Sequence, residues 1–102
     1  MERQSKLTEE SKLSIESKVF NRLISHLQKR SDVQNIDLMN LSGFCRNCLS
    51  NWYKEEAEEL GINIDKDLSR EIVYGMPHKE WKKKYQKETS PEELKKFEEQ
   101  KE

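Results

Sequence analysis

The segment of residues 31–61 constrains the fold most, because short polar residues are interspersed there with large apolar ones and both cysteines fall inside it. The flanking sequence is instead rich in Lys and Glu. Such a mixture predicts either a core that is crossed by a polar network or a functional site. It does not name a reaction.

The overall composition favours helices. The 102 residues suit a single domain, and 32% hydrophobic against 38% charged residues implies a small core under a solvated surface. Glu, Lys and Leu are abundant, whereas there are three glycines and two prolines. We therefore predict an all-α fold, a compact array of five or six short helices. Residues 1–7 are predicted to be a frayed N-terminus, residues 8–88 a single helical domain, and residues 89–102 a C-terminal amphipathic helix.

The first helix is predicted to begin between Thr8 and Ser14, since both residue types favour helix N-caps. Its apolar residues recur at helical spacing and predict one buried stripe: Ile15, Val19, Phe20, Leu23, Ile24 and Leu27. His26 lies beside this stripe. It is interpreted either as a partly buried histidine with one hydrogen bond, or as a metal ligand or acid–base group.

The central segment is predicted to hold two helices. Asn35 or Asp37 could cap a short helix, Gly43 could break or kink it, and a second helix would run from Phe44 to about Leu60. If residues 41–60 continue one helical phase, the thiols share an inward face and the polar residues point outward. The predicted inward residues are Leu41, Cys45, Cys48, Leu49 and Trp52, and the predicted outward ones are Arg46, Asn47, Ser50 and Lys54.

Further along the chain, Gly61 and Gly75 are predicted to end helices and Asp65 to cap one. Pro77 suits the first position of the next helix. Trp81 and Tyr85 lie four residues apart and are expected to pack together. The lysines of this segment are interpreted as a solvated face, because Glu80 and Glu88 dilute them and no aromatic side chain lies on the lysine face to stack a base. They are Lys79, Lys82, Lys83, Lys84 and Lys87.

The Cys45-Arg46-Asn47-Cys48 motif has three interpretations. The thiols could be small buried core residues, half of a zinc site completed by His26, His78, an acidic residue or a second subunit, or a redox dithiol. Bonding between the two sulfurs would require the helix to begin at Cys45 or to distort. The structural interpretation predicts slow alkylation overall, with Cys45 faster than Cys48 because it lies nearer the break at Gly43.

Charge and composition also limit the partners. A formal net charge of −1 does not favour nucleic acid or an anionic membrane, and no apolar run approaches a membrane span. The N-terminal residues lack the apolar region of a secretory signal, so a cytoplasmic location is expected, with reduced cysteines. A small core and several large apolar side chains predict a homodimer, and a protein partner is compatible with the same features.

The motifs DVQNIDLMNL, GFCRNCLS and YGMP followed by EWK resemble a mainly bacterial family known as domain of unknown function family 1244. The resemblance runs from about Val19 to Gln86. It implies an all-helical, dimeric single domain with no assigned activity. The shared block is Asp32 to Trp52, preceded by a histidine that matches His26. The family usually has tyrosine where this chain has His78, so a metal site common to the family would not depend on His78.

Two functions remain open from the sequence. The first is a binding or regulatory module with a polar–thiol centre around Asp32–Trp52, and the second is a thiol- or metal-dependent enzyme centred on Cys45, Cys48 and His26. No cofactor is favoured, although zinc is a candidate. The candidate binding residues are His26, Asp32, Asn35, Asp37, Cys45, Arg46, Asn47, Cys48 and Trp52.

Overall fold

The computed structural model describes residues 6–87, and these residues form five helices and no strand. The helices are α1 (Glu9–Lys29), α2 (Asn35–Ser42), α3 (Arg46–Glu59), α4 (Lys66–Tyr74) and α5 (His78–Tyr85). The predicted all-α class is confirmed. Most of the predicted frayed segment 1–7 and all of the predicted helix at 89–102 lie outside the described residues. None of the described helices is long and apolar enough to cross a membrane.

Several helix ends follow local sequence signals. Thr8 and Ser11 form a reciprocal capping box at the start of α1, and the Asp65 carboxylate accepts the Leu68 N–H at 2.7 Å at the start of α4. Gly43 and Gly75 end α2 and α4 with positive φ values of 83° and 76°, a conformation that strains residues with a Cβ. These predicted caps and stops are confirmed.

Two predicted helix starts are wrong. The N-cap of α2 is Gln34, which makes no side-chain capping bond, so neither Asn35 nor Asp37 caps this helix. Asp37 is instead an exposed residue of the first turn, where a carboxylate interacts favourably with the helix dipole. Pro77 is the N-cap of α5 and not its first helical residue.

The core is organised around α4, which contacts α1, α3 and α5. Val73 and Tyr74 of α4 are buried against residues of the other three helices: Ile24, Leu27, Leu49 and Trp81. The predicted packing of Trp81 on Tyr85 is confirmed, with ring centroids 5.7 Å apart. The nine-residue helix α4 therefore supplies the surface on which α1, α3 and α5 assemble.

The predicted apolar stripe of α1 is buried only near its C-terminal end. Ile24 and Leu27 are buried, whereas Ile15 and Val19 remain 50% and 59% exposed. The reason is length, since the 21 residues of α1 extend over about 30 Å and the nine residues of α4 over about 14 Å. The first half of α1 thus presents an apolar flank that α4 does not cover.

We expect Gly75→Ala to destabilise the fold more than Gly43→Ala. Both substitutions place alanine at positive φ, which costs about 1–2 kcal/mol. A Cβ at Gly75 would also lie 2.8 Å from the Gln28 side chain, which donates to the Val73 carbonyl, whereas a Cβ at Gly43 meets nothing within 4 Å. Displacing Gln28 should add about 1 kcal/mol. Urea unfolding of both variants measures the difference, and equal losses would contradict this role of Gln28.

Candidate functional site

The site is created by a break in the chain between α2 and α3. Gly43 turns the backbone into the left-handed region, and Cys45 is extended, with φ −145° and ψ −176°, so α3 begins at Arg46. The helical phase therefore does not continue from Leu41. As a result, the predicted distribution of inward and outward residues over 41–60 is wrong in several places.

Four residues show most clearly that the predicted helical phase of residues 41–60 is wrong. Arg46 and Ser50 were predicted to face solvent, and they are 1% and 0% exposed. Leu41 and Trp52 were predicted to face inward, and they are 87% and 45% exposed. Trp52 stacks on Phe44 with ring centroids 6.2 Å apart, and its ring lies at the surface of the fold.

The guanidinium of Arg46 joins separate parts of the fold. It donates to four oxygens: Leu27 O at 3.2 Å, Arg30 O at 2.8 Å, Val33 O at 2.8 Å and Asn35 Oδ1 at 3.0 Å. The first two carbonyls belong to the C-terminal end of α1, where carbonyls lack helical partners and a positive charge is favourable. Arg46 thus fixes the end of α1 against the start of α3.

The environment of the Arg46 charge is unusual for a buried cation. Burial lowers the pKa of the guanidinium, and the face of the Trp81 ring lies 5.0 Å from its central carbon. Asp32, a predicted site residue, instead forms an exposed bidentate pair with Arg30 at 3.0 Å, which lowers the pKa of the Asp32 carboxyl. Backbone carbonyls and an indole ring are therefore the main partners of this buried charge.

A phenol–amide network adjoins Arg46. The Asn35 amide donates to the Tyr74 hydroxyl at 2.9 Å, and that hydroxyl donates to Asn47 Oδ1 at 2.8 Å. Burial raises the pKa of Tyr74 to about 12, so it remains a neutral donor. The structure thus brings together the predicted residues Asn35, Arg46 and Asn47. Sequence analysis missed Tyr74, although a tyrosine beside Val73 in an apolar stretch needs a buried partner for its hydroxyl.

The two thiols meet at the start of α3. Cys45 is the N-cap and Cys48 the third residue of the helix, and their sulfur atoms are 3.8 Å apart as free thiols. Both line a cavity of about 360 Å³, together with Asn35, Asn47 and Asn51. Cys48 is half-buried and Cys45 only 7% exposed. The exposures run against the prediction that Cys45 is alkylated faster than Cys48, and that prediction stays untested by any labelling measurement.

The electrostatics of Cys45 reflect two opposed effects. Burial raises the pKa of the Cys45 thiol, and the neighbouring Cys48 sulfur also raises it. The backbone N–H groups of Cys48 and Asn47 act in the other direction, because they point toward the sulfur from the first turn of α3. Burial is the larger effect, so Cys45 stays protonated at neutral pH.

Other predicted site residues lie apart from the thiols. His26 is exposed and lines a separate cavity with Arg22 and Lys29, so the expectation of a partly buried histidine is wrong. In the part of the chain that the structure describes, no group of three or more His, Cys, Asp or Glu residues is arranged to hold a metal. His26, Cys45 and Cys48 thus do not come together as a metal site. Zinc at the thiols would require ligands from elsewhere.

The fold and site define a small helical protein with a dithiol beside a buried arginine–tyrosine–amide network. The family model described as "Protein of unknown function (DUF1244)" matches residues 33–99, and the chain belongs to this family. The match includes the thiols, Arg46 and Tyr74, whereas His26 and Asp32 precede it. None of the curated proteins compared matches this chain.

We expect Arg46→Met to lower the free energy of unfolding by about 2–4 kcal/mol, because four oxygens lose their donor and two of them end α1. The matched control is Arg22→Met on the exposed surface of α1, which should change stability by less than about 0.5 kcal/mol. Chemical denaturation of both variants measures the effect. Similar small losses would show that the Arg46 contacts do not stabilise the fold.

Proposed function

We propose that Cys45 and Cys48 form a reversible dithiol–disulfide pair and that the protein reduces disulfides by thiol–disulfide exchange. The observation that carries this proposal is the 3.8 Å separation of the two sulfurs at the N-terminus of α3. A disulfide bond is about 2.05 Å long. Closing the remaining distance of roughly 2 Å is within the reach of side-chain rotation.

The extended conformation of Cys45 removes the main geometric obstacle to bonding. Within a regular helix, side chains three residues apart have Cβ atoms about 5–6 Å from each other, whereas a disulfide needs about 3.5–4.5 Å. Cys45 lies outside the helix, with φ −145° and ψ −176°. Its side chain can therefore turn toward Cys48 without distorting α3.

The exposures of the thiols assign their roles. Cys48 is the more accessible, so its thiolate attacks the substrate disulfide R–S–S–R, forms a mixed disulfide and releases one R–S⁻. Cys45 transfers its proton to the released thiolate and attacks the Cys48 sulfur, which releases the second R–S⁻. Two electrons pass from the protein dithiol to the substrate. The products are the Cys45–Cys48 disulfide and, after protonation from solvent, two R–SH molecules.

The environment of Cys45 favours reduction of the substrate over its oxidation. A dithiol that stabilises its thiolate is a strong oxidant as a disulfide, because the reduced form is then preferred. Burial instead raises the pKa of Cys45, so the thiolate of this residue gains no such stabilisation. A reducing cytoplasm, the compartment expected from the sequence, would keep the pair as a dithiol ready to donate electrons.

We expect the two single-cysteine variants to differ in the rate at which they accumulate a mixed disulfide. In Cys45→Ser the attacking Cys48 remains and the resolving thiol is lost, so a mixed disulfide should accumulate with a small disulfide such as 2-hydroxyethyl disulfide. Serine is also a good N-cap, so α3 should be preserved. In Cys48→Ser the remaining Cys45 is buried, and trapping should be at least about tenfold slower. Mass spectrometry of acid-quenched samples quantifies both adducts.

The native protein provides the control for this experiment. Its mixed disulfide should stay below detection while an intramolecular disulfide forms, seen as a loss of two hydrogen masses and of both alkylation sites. Iodoacetamide should modify Cys48 before Cys45 in the reduced protein. Faster trapping at Cys45, or a native protein that keeps two free thiols under excess disulfide, would refute the proposed function.

A second candidate, a binding module, is supported by the apolar surface on α1 and α3. Phe20 and Tyr53 stack with centroids 6.2 Å apart and line an apolar groove of about 560 Å³ with Trp52 and Leu60. Val19, the residue before Phe20 in α1, is 59% exposed. We propose that a second copy of the chain covers this surface. A stable dimer interface buries roughly 800 Å² per subunit, and this exposed apolar surface is where we expect the two copies to pack.

We expect the protein to sediment as a dimer at micromolar concentration and Val19→Glu to shift it toward monomer. The charge would be buried in the proposed interface. Asn21→Glu is the matched control, because it introduces the same charge on the opposite flank of α1 and should leave the dimer intact. A monomeric native protein, or equal dissociation of both variants, would contradict the role of this surface.

A further inference from the structure

A further cavity, of about 710 Å³, lies between α4 and the start of α5. Charged side chains of both signs line it. Arg70, Lys79 and Lys82 provide positive charge, and Asp67 and Glu71 provide negative charge. A cavity that pairs both signs suits a ligand which itself carries a cation and an anion close together.

Arg70 and His78 both line this cavity. Arg70 Nη1 lies 3.3 Å from His78 Nδ1, so that ring nitrogen accepts and the proton lies on Nε2. Within residues 6–87, neither His78 Nε2 nor Arg70 Nε has a hydrogen-bond partner, although both atoms are buried. Buried donors are normally satisfied, so these two fit the oxygens of a bound carboxylate.

The His78 ring is held in place and kept neutral. It packs against Tyr74 with ring centroids 4.9 Å apart. Burial and the nearby Arg70 charge lower the pKa of His78. At neutral pH the ring therefore offers one N–H donor in a fixed direction, beside the permanent charge of Arg70.

This cavity adjoins the thiols. Asn47 and Gln86 line both it and the cavity that contains Cys45 and Cys48. Asn47 directly precedes Cys48 at the start of α3, and its carboxamide is fixed by the Tyr74 hydroxyl. A small molecule that reaches across Asn47 can therefore place one end among the charged residues and a sulfur near Cys48.

We propose that the substrate is a low-molecular-weight disulfide with a free α-amino-acid end, bound by its carboxylate to Arg70 and His78 and by its ammonium group to Asp67 and Glu71. This inference rests on the proposed disulfide reductase function and specifies its substrate class. The exchange at Cys48 and Cys45 is the one described above, with two electrons passing to the bound disulfide and two thiols leaving. Binding at the charged cavity increases the fraction of encounters that bring the disulfide to Cys48.

The test compares four disulfides as oxidants of the reduced protein. They are glutathione disulfide, which has α-amino-acid ends, 3,3′-dithiodipropionate with carboxylates alone, cystamine with ammonium groups alone, and neutral 2-hydroxyethyl disulfide. Each second-order rate constant is divided by the rate constant for the same disulfide with free dithiothreitol, which removes differences in intrinsic reactivity. Glutathione disulfide should then exceed 2-hydroxyethyl disulfide by about tenfold or more, as expected for charge-assisted hydrogen bonds.

Variants identify the residues responsible. Arg70→Gln should bring the ratio of the normalised rate constants for glutathione disulfide and 2-hydroxyethyl disulfide close to one. Arg22→Gln changes an exposed arginine on α1 and should leave this ratio unchanged. Glu71→Gln, also exposed, should reduce the preference for glutathione disulfide over 3,3′-dithiodipropionate, because the ammonium group loses a partner. Circular dichroism confirms that each variant is folded before its ratio is interpreted.

The possible failures are distinguishable. If 2-hydroxyethyl disulfide oxidises the pair but the four normalised rate constants agree, or the ratio survives Arg70→Gln, the substrate inference is wrong and the reductase proposal stands. If none of the four disulfides oxidises the pair, both are wrong. A preference for 3,3′-dithiodipropionate equal to that for glutathione disulfide would overturn the assignment of an ammonium subsite.

Discussion

The interaction on which the rest of the structure depends is the set of hydrogen bonds made by the buried Arg46 guanidinium. Its four acceptors lie at the end of α1, in the turn that follows and at the start of α2. Trp81 of α5 covers the same group. A buried cation is costly unless it is hydrogen-bonded, and among the described residues both Nη atoms of Arg46 have partners while its Nε has none. These segments must therefore be in place together. Because Arg46 is the first residue of α3, the same contacts fix where that helix begins.

The position of Arg46 also determines the thiol geometry. Anchoring the first residue of α3 leaves Cys45 outside the helix, extended, and within 3.8 Å of Cys48 at the sulfurs. Serine, threonine, aspartate or asparagine at this N-cap would stabilise the helix by about 0.5–2 kcal/mol, and Cys45 makes no capping bond. A local stability rule is therefore not followed at the residue that brings the thiols together, which is where functional sites are expected.

The sequence predicted the parts of the fold that depend on local signals. The caps at Thr8 and Asp65, the stops at Gly43 and Gly75, and the Trp81–Tyr85 contact all arise from residues close in sequence. The orientation of α3 was not predictable in this way. Phe44 and Cys45 are not helical, so the helical phase of residues 35–42 does not carry over to residues 46–59. The assumption of one continuous phase placed Arg46 outside, although its backbone acceptors allow it to be buried.

The candidate site was predictable only as a region. Asn35, Arg46, Asn47 and both cysteines were identified and do come together, but the partners that organise them carry no sequence signal, since several are backbone carbonyls. His26 was misplaced because its neighbourhood depends on how far α4 covers α1. Tyr74, Arg70 and His78 come from elements distant in sequence. Their contacts follow from packing and not from any spacing in the chain.

We propose that the thiols at the start of α3 form a reversible redox pair with a reducing potential. The most direct measurement is a redox titration in glutathione buffers, followed by the Cβ chemical shifts of Cys45 and Cys48 in the folded protein. We expect one reversible two-electron transition, in which both shifts change together, with a potential more negative than about −230 mV. Shifts that stay at their reduced values across all buffers, or a transition that appears only after unfolding, would contradict it.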